Sequence, residues 1–145
     1  MAKSREVSGA TSMRAEDAAA LAELCLDLAK WPEAWQADES DIAPGERIVE
    51  CLIPFLLHLL SEGLATKTLR RHRDHVCMLG GEIIRRRYDE SKLKKMSASK
   101  SIEELVHPDG GPLIWPRITE EAQDSFDATC RKLYKYLNSA SKPAR

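Results

Sequence analysis

The amino-acid sequence predicts an all-α protein, a compact bundle of about four to six helices built around a kinked central helix, and three observations carry that prediction. Apolar residues recur at three- and four-residue intervals or their sums in several stretches, among them Leu21/Leu24/Leu28/Trp31, Leu69/His72/Val76/Leu79/Ile83 and Ala122/Phe126/Leu133/Leu137. Such spacing aligns side chains on one side of a helix that turns about 100° per residue. No stretch shows the period of two that marks a half-buried strand. Helix punctuation also falls where the stripes require it, with Ser or Thr before them and Gly or Pro after them.

Each element follows in order. Ser12 is placed to cap a first helix carrying Leu21, Leu24, Leu28 and Trp31, with Glu16 and Asp17 at the positive end of its dipole and Pro32 as its stop. Glu33 to Pro44 is acidic and reads as a surface connection. A second helix is expected after Pro44 and Gly45. Its stripes Ile48/Leu52/Phe55/Leu59 and Val49/Ile53/Leu56/Leu60 make a wide apolar face, so it is the expected central helix. Pro54 lies inside that pattern, where its missing N–H and its ring predict a kink or a break into two shorter helices.

Gly63 supplies a left-handed stop, with Leu64 covering the helix end, and Thr66 is the expected cap of a third helix. In that helix Gly80-Gly81 costs about 1 kcal/mol per glycine relative to alanine, which points to close packing or a bend. His72 belongs at a core edge and His75 on the exposed side. Beyond Tyr88 a Lys- and Ser-rich stretch reads as a solvated loop or short helix, Ser101 to His107 as a brief helix, and His107 to Pro112 as a turn. Leu113, Ile114 and Trp115 then return to the core. Thr119 caps a last helix with Glu120 and Glu121 in its first turn.

A length of 145 residues with 43% hydrophobic and 31% charged side chains is that of one ordinary globular domain. The expected limits are a flexible tail over residues 1–11, a helical domain over 12–137 and a second flexible tail over 138–145. The longest apolar run, Cys51 to Leu60, is interrupted by Pro54 and His58 and is too short to cross a bilayer. The polar N-terminus has no apolar core of a signal peptide, so a cytoplasmic location is the expectation. Cys25, Cys51, Cys77 and Cys130 stand singly and read as reduced, buried thiols.

Chemistry-bearing patterns are few. His72, His75 and Cys77 form H-x-x-H-x-C, but on a helix the sulfur and the imidazoles point to different sides, so neither a metal nor another cofactor is expected. Glu103/Glu104 and Glu120/Glu121 are adjacent pairs that diverge on a helix. Gly110-Gly111 precedes a proline instead of a phosphate-loop helix. No nucleophile stands with an activating base, so no catalytic residue is assigned and enzyme activity is not expected.

Charge is the strongest signal. The net charge of −1 hides an acidic first part, where residues 1–66 carry 5 Lys/Arg against 12 Asp/Glu, and a basic middle, where residues 67–100 carry 11 against 4. Lys67, Arg70, Arg71, Arg73, Arg85, Arg86, Arg87, Lys92, Lys94 and Lys95 are therefore the candidate contacts to DNA or RNA phosphates. A solvated helical face explains the same residues, since Asp74 and Glu82 lie among them. Whether the acidic part covers the basic one depends on the tertiary fold.

The run F-L-L-H-L-L-S-E-G-L-A-T-K-T-L-R-R-H-R-D-H-V-C-M-L, from Phe55 to Leu79, resembles the N-terminal core-binding (SAM-like) domain of tyrosine recombinases, the phage-type integrases. Gly63-Leu64-Ala65 with Thr68 and Leu69 matches that family's Gly-Leu-Ser turn and the start of its DNA-approaching helix, with Ala65 in place of serine. The catalytic Arg, His-x-x-Arg and Tyr set and its domain are missing. The resemblance thus implies a stand-alone helical DNA-binding module without strand-cleaving activity. A helix-turn-helix is the weaker match, because Leu59 is bulky four residues before the turn glycine. The alternative from a different class is a helical protein–protein interaction protein, such as a small subunit or inhibitor of a nucleoprotein complex. Neither reading involves a membrane.

Overall fold

A computed structural model describes residues 13–140. Ser12, the tail over residues 1–11 and residues 141–145 lie outside the described residues. The described chain folds into seven α-helices joined by short 3-10 turns and loops, with no strand among the described residues.

Helix α1 spans Ala15–Leu24, buries Leu21 and Leu24, and carries Glu16 and Asp17 in its first turn. It ends seven residues earlier than its stripe predicts. Leu26 is 88% exposed, and a 3-10 turn over Leu28–Lys30 leads into α2, Trp31–Trp35. Pro32 begins this helix instead of ending the previous one, because a first-turn residue needs no N–H partner. The expected surface connection is likewise more ordered than its composition suggests. Asp38 and Asp41 form a reciprocal capping box over the 3-10 turn Glu39–Asp41, and buried Asp41 also accepts the Tyr88 hydroxyl at 2.6 Å.

Helix α3, Ile42–Ser61, is central and starts before Pro44, which sits in the first turn where amides have no helical acceptor. It buries Ile48, Val49, Leu52, Phe55, Leu56 and Leu59. Pro54 does not split it: the proline is exposed, so the Glu50 carbonyl it leaves without an N–H partner lies on the side open to water. Gly63, at φ 72°, then reverses the chain in the left-handed region, and half-buried Leu64 packs on the core.

Helix α4, Thr66–Arg86, begins at Thr66, with Ala65 in the capping position and no side-chain cap. Its glycines serve close packing, as expected. A Cβ on Gly80 would meet the Trp35 ring at 2.3 Å and one on Gly81 would meet it at 3.0 Å. The indole of α2 thus lies flat on α4 where no side chain intervenes.

His75 is a correction to the sequence reading: it is 9% exposed, not solvated. His75 Nδ1 and His72 Nδ1 each lie 2.7 Å from Thr129 Oγ1 on the last helix. One hydroxyl can donate to one neutral imidazole and accept from the other, so Thr129 satisfies the Nδ1 of both rings. Burial pushes both histidines below the usual imidazole value.

After α4 come α5, Ser91–Lys94, anchored by fully buried Leu93, and α6, Ala98–Leu105, capped by the Ser97 hydroxyl. The turn at His107–Gly110 closes as expected. The next strip does not all return to the core. Only Ile114 is buried, whereas Leu113 is 62% and Trp115 45% exposed. Gln123 explains this pose: its Oε1 accepts the Ile114 and Trp115 amides at 2.8 and 2.9 Å, and its Nε2 donates to Pro112 O at 3.2 Å.

Helix α7, Glu120–Ala140, is capped by Thr119, whose Oγ1 accepts the Ala122 amide at 3.0 Å. It extends past Leu137, so Asn138 and Ser139 are helical and not tail. All four cysteines are free, and burial raises Cys25 to about 11 and Cys130 to about 12.

Candidate nucleic-acid interface

Helix α4 carries most of the basic residues, and its geometry sorts them into three groups. At its N-terminal end Lys67, Arg70 and Arg71 are exposed, and none forms an ion pair among the described residues. They fall within about one and a half turns on the side facing away from α3 and α7. Arg73, next in line, is occupied. Its Nη1 donates to Leu24 O at 2.9 Å, satisfying a carbonyl in the last turn of α1, and its Nε donates to Asp74 at 2.9 Å.

At the other end the organising group is Glu82, whose side chain is only 3% exposed. Its Oε2 takes Arg86 Nε at 2.6 Å and Arg85 Nη1 at 3.5 Å, and its Oε1 takes Arg117 Nη2 at 2.8 Å. Three guanidiniums around one carboxylate leave the cluster positive. Arg86 is committed further, donating to Leu113 O at 2.8 Å, while Arg85 and Arg117 keep side chains 52% and 46% exposed. Arg117 was missed by sequence reasoning. It lies 35 residues beyond Glu82 in an irregular loop, so no periodic pattern links it to α4.

Lys67 and Arg85 are 18 residues apart, which is five turns, so they share one line of the helix about 27 Å apart. Arg87 is rotated by about 200° from that line and faces α3 and α6 instead. In α5 and its flank, Lys92 pairs with Glu104 at 2.9 Å, Lys94 lies over the Tyr88 ring at 5.7 Å, and Lys95 is exposed. The Glu104 carboxylate raises Lys92, and the Lys92 ammonium lowers Glu104 in return. Tyr88 itself is pushed up to about 12 by its hydrogen bond to Asp41.

The ten candidate residues therefore do not form one continuous track. Lys67, Arg70, Arg71 and Arg85 share the open side of α4. Arg73, Arg86 and Lys92 are engaged within the fold, and Arg87 points elsewhere. The acidic first part does not neutralise the open side by pairing. Among the described residues, no carboxylate of residues 13–66 makes an ion pair with a cation of residues 67–100. Glu62, the nearest in sequence, is shared by His58 at 3.1 Å and Lys132 at 3.0 Å, which hold it below the usual carboxylate range.

The imidazoles of His72 and His75 converge on a hydroxyl, while Cys77 lies beside Trp35. No helix among the described residues is long and apolar enough to cross a membrane. Compared with protein-family models, curated proteins and solved structures, the chain finds no match.

Proposed function

We propose that this all-α bundle is a non-catalytic nucleic-acid-binding module that contacts phosphates through the open side of α4. The observation that carries the reading is the trio Lys67, Arg70 and Arg71, exposed and free of ion pairs among the described residues at one end of a 21-residue helix. Arg85 on the same line, with Arg117 beside it, adds a second positive point. The turn at Gly63 and the helix beginning at Thr66 are compatible with the resemblance of Phe55–Leu79 to the core-binding domain of tyrosine recombinases.

Helix sides of this kind contact backbones more readily than base edges, so affinity should depend strongly on salt and weakly on sequence. Three phosphate contacts give a slope of log K against log salt of about −2.7, and five give about −4.5. Titrating labelled duplex DNA, single-stranded DNA and RNA at several salt concentrations measures that slope. Joint replacement of Lys67, Arg70 and Arg71 by alanine should flatten it by about 2.7 and abolish detectable binding at physiological salt. Unchanged affinity in this variant would remove α4 from consideration.

A protein partner is the second reading, and one observation favours it. Leu113 and Trp115 are large, apolar and exposed in the same loop that carries Arg117. An exposed aromatic flanked by arginines has the composition of an interface anchor. Under this reading Trp115→Ala abolishes partner capture, while the free chain binds neither DNA nor RNA.

A further inference from the structure

Between the start of α3, the end of α4 and the start of α6 lies a cavity of about 390 Å³, on the side of α4 away from Lys67. Its wall includes Arg47, Arg87, Ser97 and Ser101 over an apolar floor of Ile48 and Ile83, and no Asp or Glu lines it. Arg47 stands exposed at its rim and Arg87 is half-buried, so two cations border the cleft with no carboxylate in its lining to balance them.

One buried donor in the lining lacks a partner. Arg87 Nε is buried and makes no hydrogen bond, although a guanidinium N–H withheld from water ordinarily finds an acceptor. Ser101, on the same wall, is only 2% exposed. Arg47, exposed at the rim, enters no ion pair among the described residues, so its guanidinium is open to a ligand. At the mouth, Ser97 caps α6 by accepting the Lys100 amide at 3.2 Å, which leaves its hydroxyl proton free to donate. The first amides of that helix have no helical acceptor and add partial positive charge.

We propose that this cavity binds a phosphate group, as inorganic phosphate or as a phosphomonoester. A tetrahedral dianion supplies several strong acceptor oxygens, matching the guanidiniums of Arg47 and Arg87 and the hydroxyls of Ser97 and Ser101, and it gives the buried Arg87 Nε the acceptor it lacks. A cavity of 390 Å³ holds roughly a dozen waters at about 30 Å³ each, so a phosphate with part of an attached group fits. Because the cavity and the open side of α4 lie on different sides of the helix, the failure of one reading leaves the other standing.

The test is an amide-resolved NMR titration of the 145-residue chain in chloride buffer, with inorganic phosphate raised to about 20 mM, well above a millimolar Kd. Saturable shifts of the amides from Ser97 to Ser101 are expected. Arg47→Gln and Arg87→Gln should each weaken binding by about tenfold or more, and Arg87→Lys, which keeps the charge but loses the fork, should weaken it less. Circular dichroism checks that each variant is folded. If Arg87→Gln unfolds, Arg47→Gln and Ser101→Ala decide the matter.

A nucleoside 5′-monophosphate and a 5′-phosphorylated oligonucleotide, each compared with its 5′-hydroxyl form, separate the sources. Tighter binding of a phosphorylated form than of phosphate identifies an ester ligand, and equal binding identifies the free ion. Absence of saturable shifts, or shifts of the same affinity in Arg47→Gln and Arg87→Gln, overturns the proposal.

Discussion

Replacing Glu82 by glutamine separates the two jobs of the arginine cluster, holding the fold together and facing outward. Glutamine keeps the shape but removes the charge shared by Arg86 at 2.6 Å, Arg117 at 2.8 Å and Arg85 at 3.5 Å. Removing one partner of a fully buried ion pair costs about 3–5 kcal/mol, because the other charge is left without compensation. Here the cost is smaller. Arg85 and Arg117 are about half exposed, so water takes over part of their solvation, and Arg86 keeps its bond to Leu113 O and its approach to Glu90 at 4.0 Å. The expected loss is about 1.5–3 kcal/mol.

Urea denaturation followed by tryptophan fluorescence measures this loss, with the midpoint falling and the slope unchanged. A change below about 0.5 kcal/mol, the range of ordinary surface substitutions, would refute the view that Glu82 organises the loop at Leu113–Arg117. The binding readout should move the opposite way. Freed of their shared carboxylate, Arg85 and Arg117 become available to phosphates, so the Glu82→Gln variant should bind duplex DNA more tightly, with a salt slope steeper by about 0.9 for each added contact.

Three further outcomes test the packing beneath the open side of α4. Thr129→Val strips the shared partner from two buried imidazoles and should cost about 2–4 kcal/mol in the same urea assay; a near-neutral result would mean that the two hydrogen bonds are of little consequence. Burial lowers both His72 and His75, so the unfolded chain binds protons more tightly than the folded one. Stability is therefore fully present above the ordinary histidine value of 6.5 and falls as the pH drops through it toward the lower folded-state values. A urea midpoint that stays flat between about pH 7.5 and 5.5 would contradict this, and His75→Gln should shrink the loss. Gly80→Ala gains about 1 kcal/mol of helix propensity but drives a methyl into the Trp35 ring, so a net loss of about 1–2 kcal/mol with a shifted tryptophan emission is expected. A stabilised variant would show that the indole moves aside freely.

Local chemistry determined much of the architecture. Gly63 reverses the chain because only a residue without Cβ enters the left-handed region without strain, and Thr119 begins α7 because its hydroxyl accepts an amide three residues on. Gly80-Gly81 announced a close contact for the same reason, though not that Trp35 makes it. These features depend on neighbours within a few residues, and so does the apolar spacing that set the helical class. The basic character of α4 was also plain from composition alone.

Tertiary structure decided everything that depends on distant partners. His75 looks exposed from its own helix and is buried because Thr129, 54 residues away, comes to meet it. Arg73 and Arg86 read as free cations, yet each donates to a backbone carbonyl 49 and 27 residues away, at Leu24 and Leu113. Arg117 joins Glu82 from a loop with no period, and Arg87 turns with Arg47 toward a cavity that exists only once three helices meet. Helical period tells which side of a helix a residue occupies. What stands on that side is set by the packing of other helices, and that separates exposed Lys67, Arg70 and Arg71 from arginines of the same helix already engaged within the fold.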